Sequence, residues 1–262
     1  MAKKTTLLKA ATLSMVLPML LMSEAHANVK NVHEINDVCT SSERIMKDYA
    51  LIGMGIVYHN PQKNLDETVK HLETEMADLM SEKTGKKLHV EEEALIAEWH
   101  KIEENLTHTP EKQSALELHH HVNTFAKHCE ILAEELAAST GNHAEHYVLL
   151  IERLNLNVQD LAGIYTMKAW DAIGDDEYYG EVEEILAEYN KDYDELMVAN
   201  EKMVSTKVKD RLKILKKHFM MFEMMTASHS GRYVPLLIAK KADKINDETE
   251  SILSEEENEV EK

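Results

Sequence analysis

Turn-forming residues are scarce in this chain. It has 8 glycines and 4 prolines among 262 residues, and aromatic residues make up only 5%. That composition argues against a sandwich or barrel of short strands, which needs frequent turns and aromatic or β-branched runs. Basic charge is also short: 29 Lys and Arg against 48 Asp and Glu leave a formal charge of -19. Nucleic acid and anionic membrane are excluded as expected partners, because phosphate recognition needs clustered cations. The chain lacks a Gly-rich phosphate loop, a nucleophile elbow, a His-Glu-x-x-His pair and a Cys-x-x-Cys-His haem attachment site. No catalytic chemistry and no cofactor are therefore expected. Beyond the N-terminal region no apolar run is long enough to cross a bilayer.

What the chain does have is hydrophobic residues at 44%, rich in Leu, Ala, Met and Ile, interleaved with Glu and Lys. The N-terminus reads as an export leader over residues 1–27. Lys3 and Lys4 precede an apolar stretch from Leu7 to Met22, and Ala25-His26-Ala27 is a small-x-small cleavage site. A periplasmic mature protein starting at Asn28 is expected.

Eight amphipathic stretches of 3.6-residue period follow. The first, from about Val32 to Tyr58, places Ile35, Val38, Ser42, Ile45, Met46, Tyr49, Ile52 and Ile56 on one stripe. Leu65 to Met80 and Val90 to Leu106 form the next two; the latter carries Leu95, Trp99 and Ile102. The fourth opens after Thr109-Pro110-Glu111 and aligns Leu118, Val122, Phe125, Cys129, Leu132 and Leu136. Gly141 suits the residue after a helix end, and Asn142 with Glu145 resembles a capping box. The second half repeats the first: Lys47 to Ile52 aligns with Gln159 to Ile164, and Trp99, Ile102 and Leu106 with Leu212, Leu215 and Phe219. The expected fold is all-α, two tandem antiparallel four-helix bundles over residues 28–141 and 142–256, then an acidic tail at 257–262.

Cys39 and Cys129 are the only cysteines. In an antiparallel bundle the start of the first helix neighbours the end of the fourth, so a Cys39–Cys129 disulfide is expected in an oxidising compartment. The histidines, 15 in all, invite a metal reading. Yet the consecutive His119, His120 and His121 splay by about 100° each, so one ion cannot collect all three. His143 and His146, at i, i+3, have no visible third ligand. No metal site is expected. Met220, Met221, Met224 and Met225 lie mostly off the core stripe of Val208, Leu212, Leu215, Phe219 and Phe222. They form an expected interaction surface for the other bundle or a protein partner. A soft-metal set of His218, Met221 and Met225 is the rival use of the same turn.

Residues 42–55, Ser42-Glu43-Arg44-Ile45-Met46-Lys47-Asp48-Tyr49-Ala50-Leu51-Ile52-Gly53-Met54-Gly55, resemble the first helix of the PilJ-type domain of type IV pili chemotaxis transducers and nitrate/nitrite sensor ectodomains. Ser42, Arg44, Lys47 and Tyr49 match that pattern. The resemblance implies a sensory or ligand-binding helical bundle, tandem here, acting through a protein partner. The family's anion-holding arginine falls on Cys39, and on Ile151 in the second repeat, so nitrate binding is not carried over. Arg44 lies roughly 140° from the centre of its helix stripe; a surface pair with Asp48 or presentation to a partner helix are the two uses open to it. Arg44 and Arg153 occupy comparable places in the repeats, and a shared oxyanion site between them is the remaining route to an anion. A soft-metal or haem-binding periplasmic bundle and a purely structural interaction module are the alternatives.

Overall fold

The computed structural model describes the backbone of residues 17–81, 89–140 and 143–260, and the side chains of 32–77, 91–139 and 145–254. Eight helices and no strand occur among the described residues: α1 Leu17–Gly53, α2 Pro61–Ser81, α3 His89–Leu106, α4 Lys112–Thr140, α5 His143–Ala169, α6 Asp175–Val198, α7 Thr206–Thr226 and α8 Pro235–Val260. The all-α expectation holds. Gly141 and Asn142, and residues 1–16 of the expected export leader, lie outside the described residues. Among the described residues no helix is long and apolar enough to cross a membrane.

Each expected apolar stripe is a core face. Ile35, Val38, Ile45, Met46 and Tyr49 are buried on α1, Leu95, Trp99 and Ile102 on α3, and the six stripe residues of α4 and five of α7 likewise. Burying such a row of aliphatic side chains is the main force joining the helices. Two ends differ from expectation. The first helix stops at Gly53 instead of running to Tyr58, so Ile56 sits in the turn. The Ile56 N–H bonds back to the Leu51 carbonyl at 3.0 Å over Gly55, whose φ is 72°, and such a left-handed residue terminates a helix. Pro61 then serves as the first residue of α2, where its missing N–H costs nothing. At the other end α8 continues to Val260, into the expected acidic tail, since residues 251–260 contain no Gly or Pro and Glu is a good helix former.

The helix pairings define the architecture. α1 packs on α2 and α4, and α3 packs on α4. α5 packs on α6 and α8, and α7 on α8 and α6. The most extensive pairing joins α1 to α5. These two helices run parallel, because residues later in α1 meet residues later in α5. His33 meets Glu152, a Cβ built on Gly163 would lie 3.1 Å from that of Met46, and the Trp170 ring lies across Gly53.

The two halves correspond across this seam. α1 ends over Gly55, and α5 ends in the same way over Asp171, φ 61°, with the Ala172 N–H bonded to the Met167 carbonyl at 2.9 Å. The Tyr49 hydroxyl meets Ser114 at the start of α4 at 2.8 Å, and the Tyr165 hydroxyl accepts from the Val234 N–H just before α8 at 3.0 Å. Tyr49 therefore corresponds to Tyr165, one helical turn beyond the register suggested by aligning Asp48 with Asp160. In this register Cys39 corresponds to Asn155 and Arg44 to Asp160, instead of Ile151 and Leu156.

Candidate functional site: a polar seam between α1 and α5

α1 and α5 touch neighbours on several sides, and that position buries polar residues that an ordinary surface helix would show to water. On α1 the buried set includes Asn36, Thr40, Ser41, Glu43, Lys47 and Asp48; on α5 it includes Glu152, Asn155, Asn157, Gln159 and Thr166. A buried polar group is costly unless it is bonded, so the partners of each are informative.

Some are matched. The Lys47 ammonium donates to Asp243 on α8. Asn155 donates to Asn246 on α8 at 2.8 Å, and Gln159 donates to the Ala242 carbonyl at 3.0 Å. His33 bonds to Glu152 and lies 4.0 Å from Glu250. That hydrogen bond to Glu152 raises the His33 pKa to about 9, and burial pushes Glu152 up to about 7 against the pull of the imidazolium.

Others are not matched. Glu43 is 2% exposed and its Oε2 has no hydrogen-bond partner; the same is true of the Thr40 and Ser41 hydroxyls and of Oδ1 of Asp160. Burial pushes the Glu43 carboxyl well above its ordinary range, and the nearby carboxyls of Asp160, Glu181 and Glu130 add to the rise. Burial takes Asp160 to about 7, with His119 opposing and Glu181 and Glu130 reinforcing. His119 of α4 bonds through Nε2 to Glu181 of α6 at 2.9 Å, while its Nδ1 is unpartnered. Burial works against the charge of His119, but the bond to Glu181 and the carboxyls of Asp160 and Glu177 outweigh it and raise its pKa. α1, α4, α5 and α6 thus each bring a titratable group to one buried junction. Among the described residues no three His, Cys, Asp or Glu side chains are placed to hold a metal ion.

The arginines singled out from sequence lie apart in their contacts. Arg153 reaches Asp192 on α6 at 3.1 Å and Glu134 on α4 at 3.3 Å. Arg44 is half-buried; its charge acts on Asp48 of its own helix and Glu250 of α8, and its Nε is a buried donor without a partner. Cys39 and Cys129 are buried and free, and burial, with the Cys129 thiol nearby, raises the Cys39 pKa; Sγ of Cys39 donates to the Ile35 carbonyl at 3.1 Å. Met220, Met221 and Met224 are exposed at 53%, 37% and 74%, whereas Met225 packs against the core. His218 is held by Glu248 at 2.7 Å.

The histidines have a common use that no motif pointed to. Seven of them each join one helix to a carboxylate on another: His33 to Glu152, His71 to Asp37, His119 to Glu181, His121 to Glu98, His128 to Glu91, His146 to Glu195 and His218 to Glu248. The sequence signal was the excess of His and Glu together, with too little Arg to pair the acids.

Comparison with family models, curated proteins and solved structures gave no match.

Proposed function

We propose that this chain is a non-catalytic periplasmic accessory protein that senses or binds a ligand and acts through a protein partner, built as two tandem four-helix bundles of the PilJ kind. One observation carries the reading: α1 and α5, corresponding helices of the two halves, lie parallel with corresponding residues side by side. Such a pair relates the halves as a two-fold axis relates the subunits of a dimer. A single chain then holds an internal dimer whose central seam is polar and partly unsatisfied. Structural cores rarely keep unbonded buried carboxyls, and perturbed titratable groups gather at functional sites.

The character of the seam argues against an oxyanion as its ligand. Its buried unpaired charged oxygens belong to Glu43 and Asp160, which repel an anion; the unpartnered donors beside them are the Thr40 and Ser41 hydroxyls and Nε of Arg44, and Arg153 is already committed to Asp192 and Glu134. Nitrate and nitrite are expected to leave the melting temperature unchanged. A thermal-shift screen over oxyanions, small acids, amines and metal salts, with co-purification on a tagged chain from periplasm, tests the wider reading. A ligand or partner whose effect is lost on changing Asp160 or Gln159 supports it. Silence in both assays contradicts it. The exposed Met220, Met221 and Met224 favour a second reading, a structural interaction module, in which the partner is captured without any ligand and Met224→Lys abolishes capture.

A further inference from the structure

We propose, building on the sensory reading, that the stimulus read by the α1/α5 seam is the proton. Glu43 and Asp160 let the two helices stay packed while they carry protons and drive them apart when both ionise. Three features of the structure lead there.

The first is placement. Glu43 is buried at the seam with an unpartnered oxygen, and the Glu43 carbonyl lies 3.7 Å from a Cβ built on Gly163, one turn on from Asp160. The second is the sign of the surroundings. Facing the pair are Cys129, Glu130 and His119 from α4 and Glu181 and Glu188 from α6. On α1 itself, Lys47 is committed to Asp243 of α8, and the charge of Arg44 acts on Asp48 and Glu250. His71 of α2 is held by Asp37. Among the described residues the cation that acts on Asp160 is His119, itself shared with Glu181. A carboxyl in that setting stays neutral by keeping its proton, and two ionised carboxylates there repel in a medium of low dielectric.

The third feature is the set of seven His–carboxylate clasps between helices. Each gains its ion-pair character only when the imidazole is charged. Rising pH therefore removes charge from the His33 and His119 clasps and adds charge to the seam, and both changes loosen the packing. Falling pH does the reverse. One stimulus biases two sets of contacts in the same direction, as a two-state sensor requires.

The test uses the chain's own tryptophans. Trp170 lies across Gly53 at the end of the seam, and Trp99 is the only other tryptophan. In the full chain carrying Trp99→Phe, the Trp170 emission should shift to the red as pH rises from about 5 to about 9, a range set by the histidine and seam carboxyl groups. Glu43→Gln and Asp160→Asn should each remove that shift, since opening needs both charges; the exposed Glu183→Gln should keep it. Glu43→Gln is isosteric with the protonated acid and should fold. Infrared difference spectra at neutral pH should show a protonated carboxyl band in the parent chain that disappears in Glu43→Gln. A shift that survives both seam substitutions, a flat response, or a band indifferent to Glu43→Gln would overturn the proposal. Failure here is separable from failure of the wider reading. A ligand or partner bound without any pH response leaves the accessory role standing, and a Trp170 transition in a chain that binds neither leaves the proton switch standing.

Discussion

At Asp171 the backbone turns left-handed to end α5, φ 61°, where the corresponding position after α1 is Gly55 at φ 72°. A side chain with a Cβ is strained in that conformation, and Asp tolerates it only by comparison with bulkier residues. Asp171 also pairs with Lys112 at 3.0 Å, but that contact is exposed and worth little. Asp171→Gly should therefore raise the melting temperature by about 2 °C, read by thermal unfolding; a decrease would mean that the ion pair outweighs the backbone term. Gly53 shows the opposite logic. It is needed not for its φ but for the room it gives Trp170, whose ring occupies the space a Cβ would take, 2.1 Å from the built atom. Glycine scarcity in the sequence hides this: the few glycines present mark a helix end at Gly55 and close approaches at Gly53 and Gly163.

The pairing of helices within each half turns on matched buried side chains. Where α1 faces α4 with Cys39 and Cys129, α5 faces α8 with Asn155 and Asn246. Asn246→Ala leaves the Asn155 amide buried and unbonded, which should cost about 1–3 kcal/mol, whereas the double change to Leu at both positions should recover much of that. Chemical denaturation of the single and the double variant checks it, and a double variant no more stable than Asn246→Ala would contradict the pairing of the two amides. The cysteine pair, exported as proposed, should close into a disulfide and stabilise the first half by ~3–4 kcal/mol in the loop-entropy model. Thiol counting on unreduced, unfolded periplasmic protein should give none free; two would contradict it.

Helix positions and core stripes were legible in the sequence because a 3.6-residue pattern follows directly from burying one face. The buried polar face was not. Glu43, Lys47, Asn155 and Gln159 look like solvated positions until α1 and α5 are known to lie between other helices. Arg44 shows the limit well: its angle away from its own core was readable, but the nearness of its charge to Glu250 on α8 was not. The repeat register was off by one turn because Asp48 and Asp160 match as letters while Tyr49 and Tyr165 match in what their hydroxyls do.

For the whole molecule, proton binding and folding are linked with one sign. His33 is raised from 6.5 to about 9, Glu152 from 4.5 to about 7, Asp160 from 3.8 to about 7 and Asp48 from 3.8 to about 6. Each group binds its proton more tightly in the folded chain. The stability that the carboxyls contribute is present in full below their unfolded values and is lost as pH rises through about 6 and about 7. That of His33 is complete below 6.5 and is lost as pH rises through about 9. Self-repulsion from a formal charge of -19 acts the same way. The urea midpoint should therefore fall steadily from about pH 5 to about pH 9; a midpoint that climbs over this range would contradict the assignment of these groups.

All of this depends on α1 and α5 lying parallel in one chain. A Cβ on residue 163 stands 3.1 Å from that of Met46, close to the separation a disulfide spans. With Cys39 and Cys129 replaced by Ala, the double variant Met46→Cys, Gly163→Cys should cross-link within single chains under mild oxidation, giving a faster-migrating monomer on a non-reducing gel. Cross-linking only between chains, or none while the Met46→Cys and Gly163→Cys thiols both remain reactive, would contradict the parallel seam and the function built on it.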